Sequence, residues 1–464
     1  LLFDIERELS KRVDSGTLNY CIPRFLGFEG LKRREIADGK RIFVNPFEFY
    51  AGSIRRIFEY QLKQEDQPTG TRWIKKAIVC KLNIKGDLHY NHKGFWVSDN
   101  RSTFDFPEKG SFLKALSLLP MVKDLGYDTL YLSDQLDNLF ELSDELIRGF
   151  TPNDQFESFI EGTRLLKIKV LTHLDITGMK GRNVWDFLEK KLLFLSEIYG
   201  LDGVVLELDS DIELTPLSRI IGRIKKFNPL FTFVFSAQGS ACFRSIKKLG
   251  FQSVYMDVQE ITAHQMRKGQ NNKKEDVCAL LNRSQHSTHL PVLYAFEETL
   301  FRFQSGIGTI GQTENSLKLS VFNTFFRADC IPCIRSVFNP GGEWDQADLD
   351  FYYFMQRMCS LKKRYSAFLS EERELKGVLT DSEKVHGRVF RNPVEDAALI
   401  VLINTDTIKD HWISVDIDSI ELQKYHRVKR KLESFKEQVS YLDVENGYVH
   451  IPLRPCEGTL LTVR

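Results

Sequence analysis

Apolar residues in this chain gather into short runs, and segments of helical periodicity separate those runs. Ala77–Leu82 is the first strand-like run, and a helical pattern over Phe112–Leu125 leads to the second at Thr129–Leu132. A helix over Phe156–Leu166 precedes Lys169–Leu174, one over Trp185–Tyr199 precedes Gly203–Leu208, and one over Leu217–Phe227 precedes Phe231–Phe235. A short helix at Phe243–Leu249 leads to Ser253–Met256, and the series ends with Pro291–Phe296, Cys330–Ile334 and a closing helix over Phe351–Tyr365. Strands alternating with helices are the pattern of βαβ units, and strands apolar on both faces belong in a parallel sheet covered by helices. Eight of them predict an α/β fold in which a (β/α)8 TIM barrel closes on itself; a doubly wound open sheet is the competing arrangement. After Ser370 the texture changes. Lys384–Phe390, Ala398–Ile403, His411–Ile417 and Gly458–Val463 are β patterns with no helix between them, as in a C-terminal antiparallel β-sandwich domain. The expected division is an N-terminal helical extension over 1–70, a barrel over 71–369 and a β domain over 370–464.

Composition narrows the function classes. Lys+Arg (64) and Asp+Glu (63) nearly cancel, so no basic surplus points to nucleic acid and no acidic surplus to a disordered tail. No apolar run reaches the ~18 residues of a spanning helix, so no transmembrane segment is expected. Leu1–Leu9 is amphipathic without a secretory signal, which makes the cytoplasm the expected location; a chain opening on Leu1 leaves room for a leader or anchor before it. The eight cysteines have no spacing framework. Cys80, Cys242, Cys278 and Cys333 lie in or beside apolar runs and read as reduced, buried thiols, and Cys330–Cys333 matches C-x-x-C without a second pair to complete a zinc site. His89 and His92 have a metal-compatible spacing but no acid or cysteine cluster beside them. No cofactor and no metal are expected. The 35 phenylalanines read as core before they read as sugar platforms.

Several segments then resemble one family in the right order. Ile198-Tyr-Gly-Leu-Asp-Gly-Val-Val-Leu-Glu207 is similar to the fourth-strand signature of glycoside hydrolase family 13, the α-amylase superfamily. Gly126–Asp128, preceded by Leu118–Lys123, resembles the entry to its second strand; Ile331-Pro332 and Gln356–Arg364 resemble its eighth strand and following helix. The resemblance covers roughly residues 73 to 464. It implies a barrel joined to a C-terminal β domain and action on α-linked sugars through three carboxylates, two of which must flank the scissile bond about 5 to 5.5 Å apart.

The polar positions depart from that pattern. The nucleophile slot holds Glu207, and Val205 stands where the family's arginine would orient it, so Glu207 is expected to reach into the site unbraced. The acid/base slot at the end of strand five holds Ser236, or Gln238 if the register slips; neither can protonate a leaving alkoxide. Glu297-Glu298-Thr299 replaces the strand-seven motif, which leaves Glu298 as its carboxylate, and the strand-three motif falls on His173 and Thr177-Gly178. Candidate catalytic positions are therefore Glu207, Ser236 and Glu298, and candidate substrate-binding positions are His173, Asp209, Glu297 and Arg302. His173 is read as a satisfied rim histidine before a general base or metal ligand. Glu207 and Asp209 are expected on one face of strand four, and Asp257 or Glu260 could supply a displaced acid. The short gap from Asp175 to Trp185 leaves no room for the family's inserted domain, nor for its usual calcium site. The heavy chains of heteromeric amino-acid transporters share this pattern and also carry a membrane helix, which this sequence does not show. The basic run Met266–Glu275 reads as a solvated loop, and Tyr425–Lys436 as basic surface of the β domain. The expectation is a catalytically degenerate amylase-like pseudoenzyme that binds a saccharide or a protein partner. The alternative is an active glycosidase or transglycosidase on α-linked glucans, with Glu207 as nucleophile and a displaced acid.

Overall fold

The computed structural model describes residues 72–84, 112–135, 152–177, 182–208, 214–236, 250–257, 292–297, 314–328, 330–335, 346–369, 372–374, 378–380, 382–392, 396–420, 422, 427–433 and 435–464. The N-terminal extension, the Phe243–Leu249 helix, the basic run Met266–Glu275, His89 and His92 lie outside these residues.

Eight parallel strands close into a barrel in sequence order: β1 (Val79–Leu82), β2 (Thr129–Gln135), β3 (Lys169–Asp175), β4 (Gly203–Glu207), β5 (Thr232–Ser236), β6 (Ser253–Asp257), β7 (Val292–Glu297) and β8 (Cys330–Arg335). Pairing of β1 with β8 through Val79–Cys333 closes the ring, so the open-sheet alternative is excluded. Helices α1 (Arg72–Lys76), α2 (Phe112–Leu125), α3 (Pro152–Leu165), α4 (Arg182–Leu193), α5 (Leu214–Phe227), α6 (Glu314–Phe325) and α7 (Gln346–Arg364) accompany the strands. Only residues 178–181 separate the end of the β3 segment from α4, which leaves no space for an inserted domain.

Alternation along each strand sorts side chains into two cores. Val79, Tyr131, Leu171, Val205, Val234, Tyr255, Leu293, Ala295, Ile331 and Cys333 fill the barrel, with Ile74 of α1 among them. Their neighbours Cys80, Leu130, Val170, Val204, Phe233, Val254 and Cys330 face the helices. Cys330 and Cys333 therefore belong to opposite faces of β8; both are buried, as is Cys80.

The N-terminal end of the barrel is built from a repeated clasp. Asp128, one residue before β2, donates its N–H to the Ile78 carbonyl (3.2 Å) and accepts the Ile78 N–H on its carboxylate (2.9 Å). Asp202 before β4 does the same with Val170 (3.1 and 2.8 Å), and Gln252 before β6 makes the equivalent pair with Phe233 (3.0 and 2.7 Å), accepting on its amide oxygen. Each clasp satisfies a buried strand-end amide that no ladder bond reaches. Trp73 of α1 donates its indole N–H to the Leu230 carbonyl (3.2 Å) and lies 4.8 Å from the Lys169 ammonium, so α1 covers this end.

Two resembling motifs have direct structural causes. Gly126 has φ +99°, and an added Cβ would sit 2.7 Å from Cys359 Cβ on α7, so only glycine fits this turn. Gly200 (φ +62°) follows the π-helical turn Phe194–Ile198 that ends α4. Arg164 fills the space a side chain would need there and donates to the carbonyls of Tyr199 (2.9 Å) and Gly200 (3.3 Å), satisfying the helix end.

The C-terminal domain is a sandwich of two antiparallel sheets. One has the order β10 (Val378–Leu379), β13 (His411–Asp416), β16 (Tyr448–Leu453). The other has the order β15 (Lys436–Leu442), β14 (Val428–Glu433), β17 (Gly458–Val463), β12 (Ala397–Asn404), β11 (Val385–Asn392), β9 (Glu372–Glu374). Every residue of β12 is buried: Ala398, Ile400 and Leu402 face the smaller sheet, while Leu399, Val401 and Ile403 join the cluster that includes Phe322, Phe325 and Phe354 of α6 and α7. The basic segment Tyr425–Lys436, which reads as surface, holds β14 and the first residue of β15. Within it Arg430 is buried in an ion pair with Glu457 (3.1 Å) and also donates to Thr459 Oγ1 (3.1 Å).

Candidate functional site

Parallel barrels carry function at the C-terminal ends of their strands, where the βα loops emerge. Alternation assigns the inward positions at this end to Lys81, His173, Asp175, Glu207 and Ser236, and β6, β7 and β8 end at Asp257, Glu297 and Arg335. Glu207 pairs in register with Asp175 on one side and Ser236 on the other, and Ser236 pairs with Tyr255. Glu297 pairs with Arg335, which pairs in turn with Lys81. Thus the sequence-predicted residues Glu207, Ser236 and His173 share one rim. Glu297 is on the same rim by register. Asp209, Glu298, Arg302, Gln238 and Glu260 lie outside the described residues; β4 itself ends at Glu207.

Glu207 is not unbraced, and here the sequence expectation is corrected. His173 Nε2 lies 3.2 Å from Glu207 Oε2, and His173 Nδ1 lies 3.1 Å from the Tyr131 hydroxyl. A carboxylate only accepts, so Nε2 carries the proton toward Glu207; in the neutral ring Nδ1 then accepts from Tyr131. The brace comes from the neighbouring strand instead of from two residues back, where Val205 is buried in the barrel. His173 is 14% and Glu207 18% exposed, so the pair is reachable from the mouth, whereas Tyr131 is fully inside.

A second contact chain crosses beneath it. Tyr131 packs edge-on against Tyr255 with ring centroids 5.3 Å apart, and the Tyr255 hydroxyl accepts from Lys81 Nζ (2.8 Å). Lys81, Tyr131 and Tyr255 are site residues that the sequence reading missed. Their only signal is the inward parity they share with Val79, Leu171 and Val205.

Ser236 is 8% exposed and ends β5 beside Glu207. Its hydroxyl can donate or accept a hydrogen bond but has no acidity to give a leaving alkoxide near neutral pH. Asp175, which the sequence reading did not single out as an acid, is the carboxyl group nearest to Glu207 in register. Asp175 Oδ1 accepts from the Thr177 N–H (2.8 Å) and hydroxyl (2.6 Å), a local turn that holds it at the rim. Among the described residues no group of three or more His, Cys, Asp or Glu could hold a metal ion, and no helix is long and apolar enough to cross a membrane.

No family model and no curated protein matches the sequence. Solved structures do match. A maltotriose complex of AmyP superposes with a TM-score of 0.63 at 13% identity, over 86% of this chain and 99% of that one. An acarbose complex of the α-amylase from Geobacillus thermoleovorans gives 0.59 at 10%, over 84% and 98%. The maltogenic α-amylase AmyB from Thermotoga neapolitana gives 0.58 at 11%, over 84% and 99%. A closed eight-stranded barrel, a sandwich packed on its closing helices and structural matches over most of the chain lead to one statement: this chain has the α-amylase fold.

Proposed function

We propose that the barrel mouth binds a saccharide without cleaving its glycosidic bond, so that the chain serves as a non-hydrolytic binding, scaffolding or regulatory component. One observation carries this reading: Ser236 stands at the end of β5, in register beside Glu207, where a proton donor is required. Hydrolysis with retention needs an acid and a nucleophile on either side of the bond, and a hydroxyl fills only the hydrogen-bonding half of the acid's role. What remains suits sugar hydroxyls. Glu207 accepts and Lys81 donates, while His173, with both ring nitrogens engaged, orients Glu207. Maltotriose and acarbose, held by two proteins of the same fold, are the appropriate probes.

A second reading is favoured by Asp175, whose Cα is one strand spacing (about 4.8 Å) from that of Glu207. If it protonated the leaving group, the site would be a glycosidase with its acid moved from β5 to β3. One experiment separates the two. Calorimetric titration with maltotriose and acarbose is expected to show binding that Glu207→Gln abolishes, with no release of nitrophenol from activated α-glucosides. Turnover that disappears in both Glu207→Gln and Asp175→Asn would replace the binding reading with the enzymatic one.

A further inference from the structure

Helix α4 and the π-helical turn Phe194–Ile198 that continues it bury one side against the barrel through Leu188, Leu192 and Leu195. The opposite side is not the polar face expected of a surface helix. Phe187 is 52%, Phe194 47% and Ile198 47% exposed, and the Lys191 ammonium lies 5.6 Å from the centre of the Phe187 ring. Positions 187, 191, 194 and 198 follow one another at intervals of four, three and four. That is the spacing of a coiled-coil seam, carried over about 16 Å of helix. Phe227 at the end of α5 is 63% exposed and widens the stripe, because its neighbour Asn228 donates from its side-chain amide to Ser196 Oγ in the π turn (3.2 Å). Isolated apolar side chains on a surface need no explanation, but four from two adjoining helices form a patch of the kind that marks an interaction site. Lys190 and Glu197, both exposed, flank the seam one residue before Lys191 and Ile198.

We infer that this stripe is the contact surface of a homodimer, in which α4 packs against α4 of a second copy turned end for end. A two-fold axis makes a patch meet itself, so the patch must be self-complementary. This one is. In the antiparallel arrangement Phe187 comes opposite Ile198 of the second copy, and Lys191 opposite its Phe194, an aromatic ring like the one Lys191 already covers in its own chain. Lys190 and Glu197 lie seven residues apart, about 10 Å along the axis. The same turn therefore sets each lysine near a glutamate and keeps like charges apart, as in antiparallel helix pairs whose flanking residues fix the orientation. An anionic lipid surface would favour lysine alone, and Glu197 stands against it. The stripe runs down α4 toward the N-terminal end of the barrel, so pairing through it leaves both mouths open.

The test is sedimentation equilibrium of the full chain over a wide range of concentration, without saccharide. The native chain is expected to populate a dimer. Phe194→Glu, which places a charge in the seam of both copies, is expected to raise the dimer dissociation constant at least tenfold, with an unchanged melting temperature when both proteins are diluted to monomer. Lys190→Glu and Glu197→Lys are each expected to weaken the dimer and the double exchange to restore it, a rescue that only contact between two copies at this face can give. A native chain that stays monomeric at every concentration would overturn the proposal. So would a dimer that Phe194→Glu leaves intact or that the double exchange fails to restore. A monomer that Phe194→Glu makes less stable would show that the chain covers the stripe itself, and one that sediments with phosphatidylserine vesicles would assign the stripe to lipid; both overturn it. No saccharide enters the measurement, so failure here leaves the reading of the barrel mouth separately testable.

Discussion

The two ends of the barrel are made differently. At the N-terminal end one device recurs: Asp128, Asp202 and Gln252 each hold the amide of the preceding strand, and α1 covers the opening. At the mouth no such device recurs: Tyr131, His173 and Glu207 are linked in a chain that no other strands repeat among the described residues. A repeated bond that satisfies a buried amide contributes to stability and is indifferent to ligands. A chain of unlike polar groups at a reachable rim adds little to folding and has the composition of a binding site. The same barrel thus separates what holds it closed from what it offers to solvent.

Three measurements test this contrast. The largest effect is expected from Asp202→Ala, which strips the Val170 amide of its acceptor. Urea unfolding should show a loss of about 2 kcal/mol at unchanged slope. A change below about 0.5 kcal/mol would mean that the clasps are incidental.

The second concerns Lys362 on α7, which is buried and donates to the Phe325 carbonyl (3.0 Å). Burial lowers its pKa to about 8 from the ordinary 10.5. Between those two values the unfolded chain binds the proton at this position and the folded chain does not, so the contribution of Lys362 to stability should rise with pH from 8 to 10.5, against an opposite contribution from the Cys359 thiol, whose pKa burial raises. The slope is at most about 1.4 kcal/mol per unit. Below pH 8 both states are protonated and the full cost of burying the charge remains. Lys225, whose pKa burial also lowers to about 8, contributes in the same direction. The informative quantity is therefore the difference in slope between the native chain and Lys362→Met, which should be flatter. Identical slopes would show that Lys362 is not the source.

The smallest effect is expected at the mouth. Glu207→Gln keeps an oxygen that accepts from His173, so stability should change by less than about 0.5 kcal/mol even where saccharide affinity is lost. A loss of 2 kcal/mol would make the mouth a structural support and erase the contrast.

The barrel strands are legible in the sequence for a definite reason. Parallel strands buried on both faces are continuous apolar runs, and each of the eight runs overlaps an observed strand, with ends shifted by up to three residues. Helix α6 is absent from the reading, since the chain between strands seven and eight offers no clear amphipathic period. Strands β14 and β15 are hidden for another reason. Val428-Lys-Arg-Lys-Leu-Glu433 looks like a solvated face, and only the partner Glu457, 27 residues beyond Arg430, makes burial of that guanidinium tolerable. At the site, Glu207, His173 and Ser236 could be named from their motif slots. Their bonds could not, because Tyr131 and His173 meet only through the barrel register, 42 residues apart in sequence. The expectation of an unbraced Glu207 fails for that reason: it looked for support along the strand, and the support comes from across it.

Strand β12 carries a consequence for anyone who would dissect this chain. Because one of its sides belongs to the sandwich and the other to the packing around α6 and α7, there is no cut that yields two water-compatible halves. Removing the last hundred or so residues would strip Phe322, Phe325 and Phe354 of their cover. The remaining barrel should then collect in inclusion bodies instead of behaving as an independent unit.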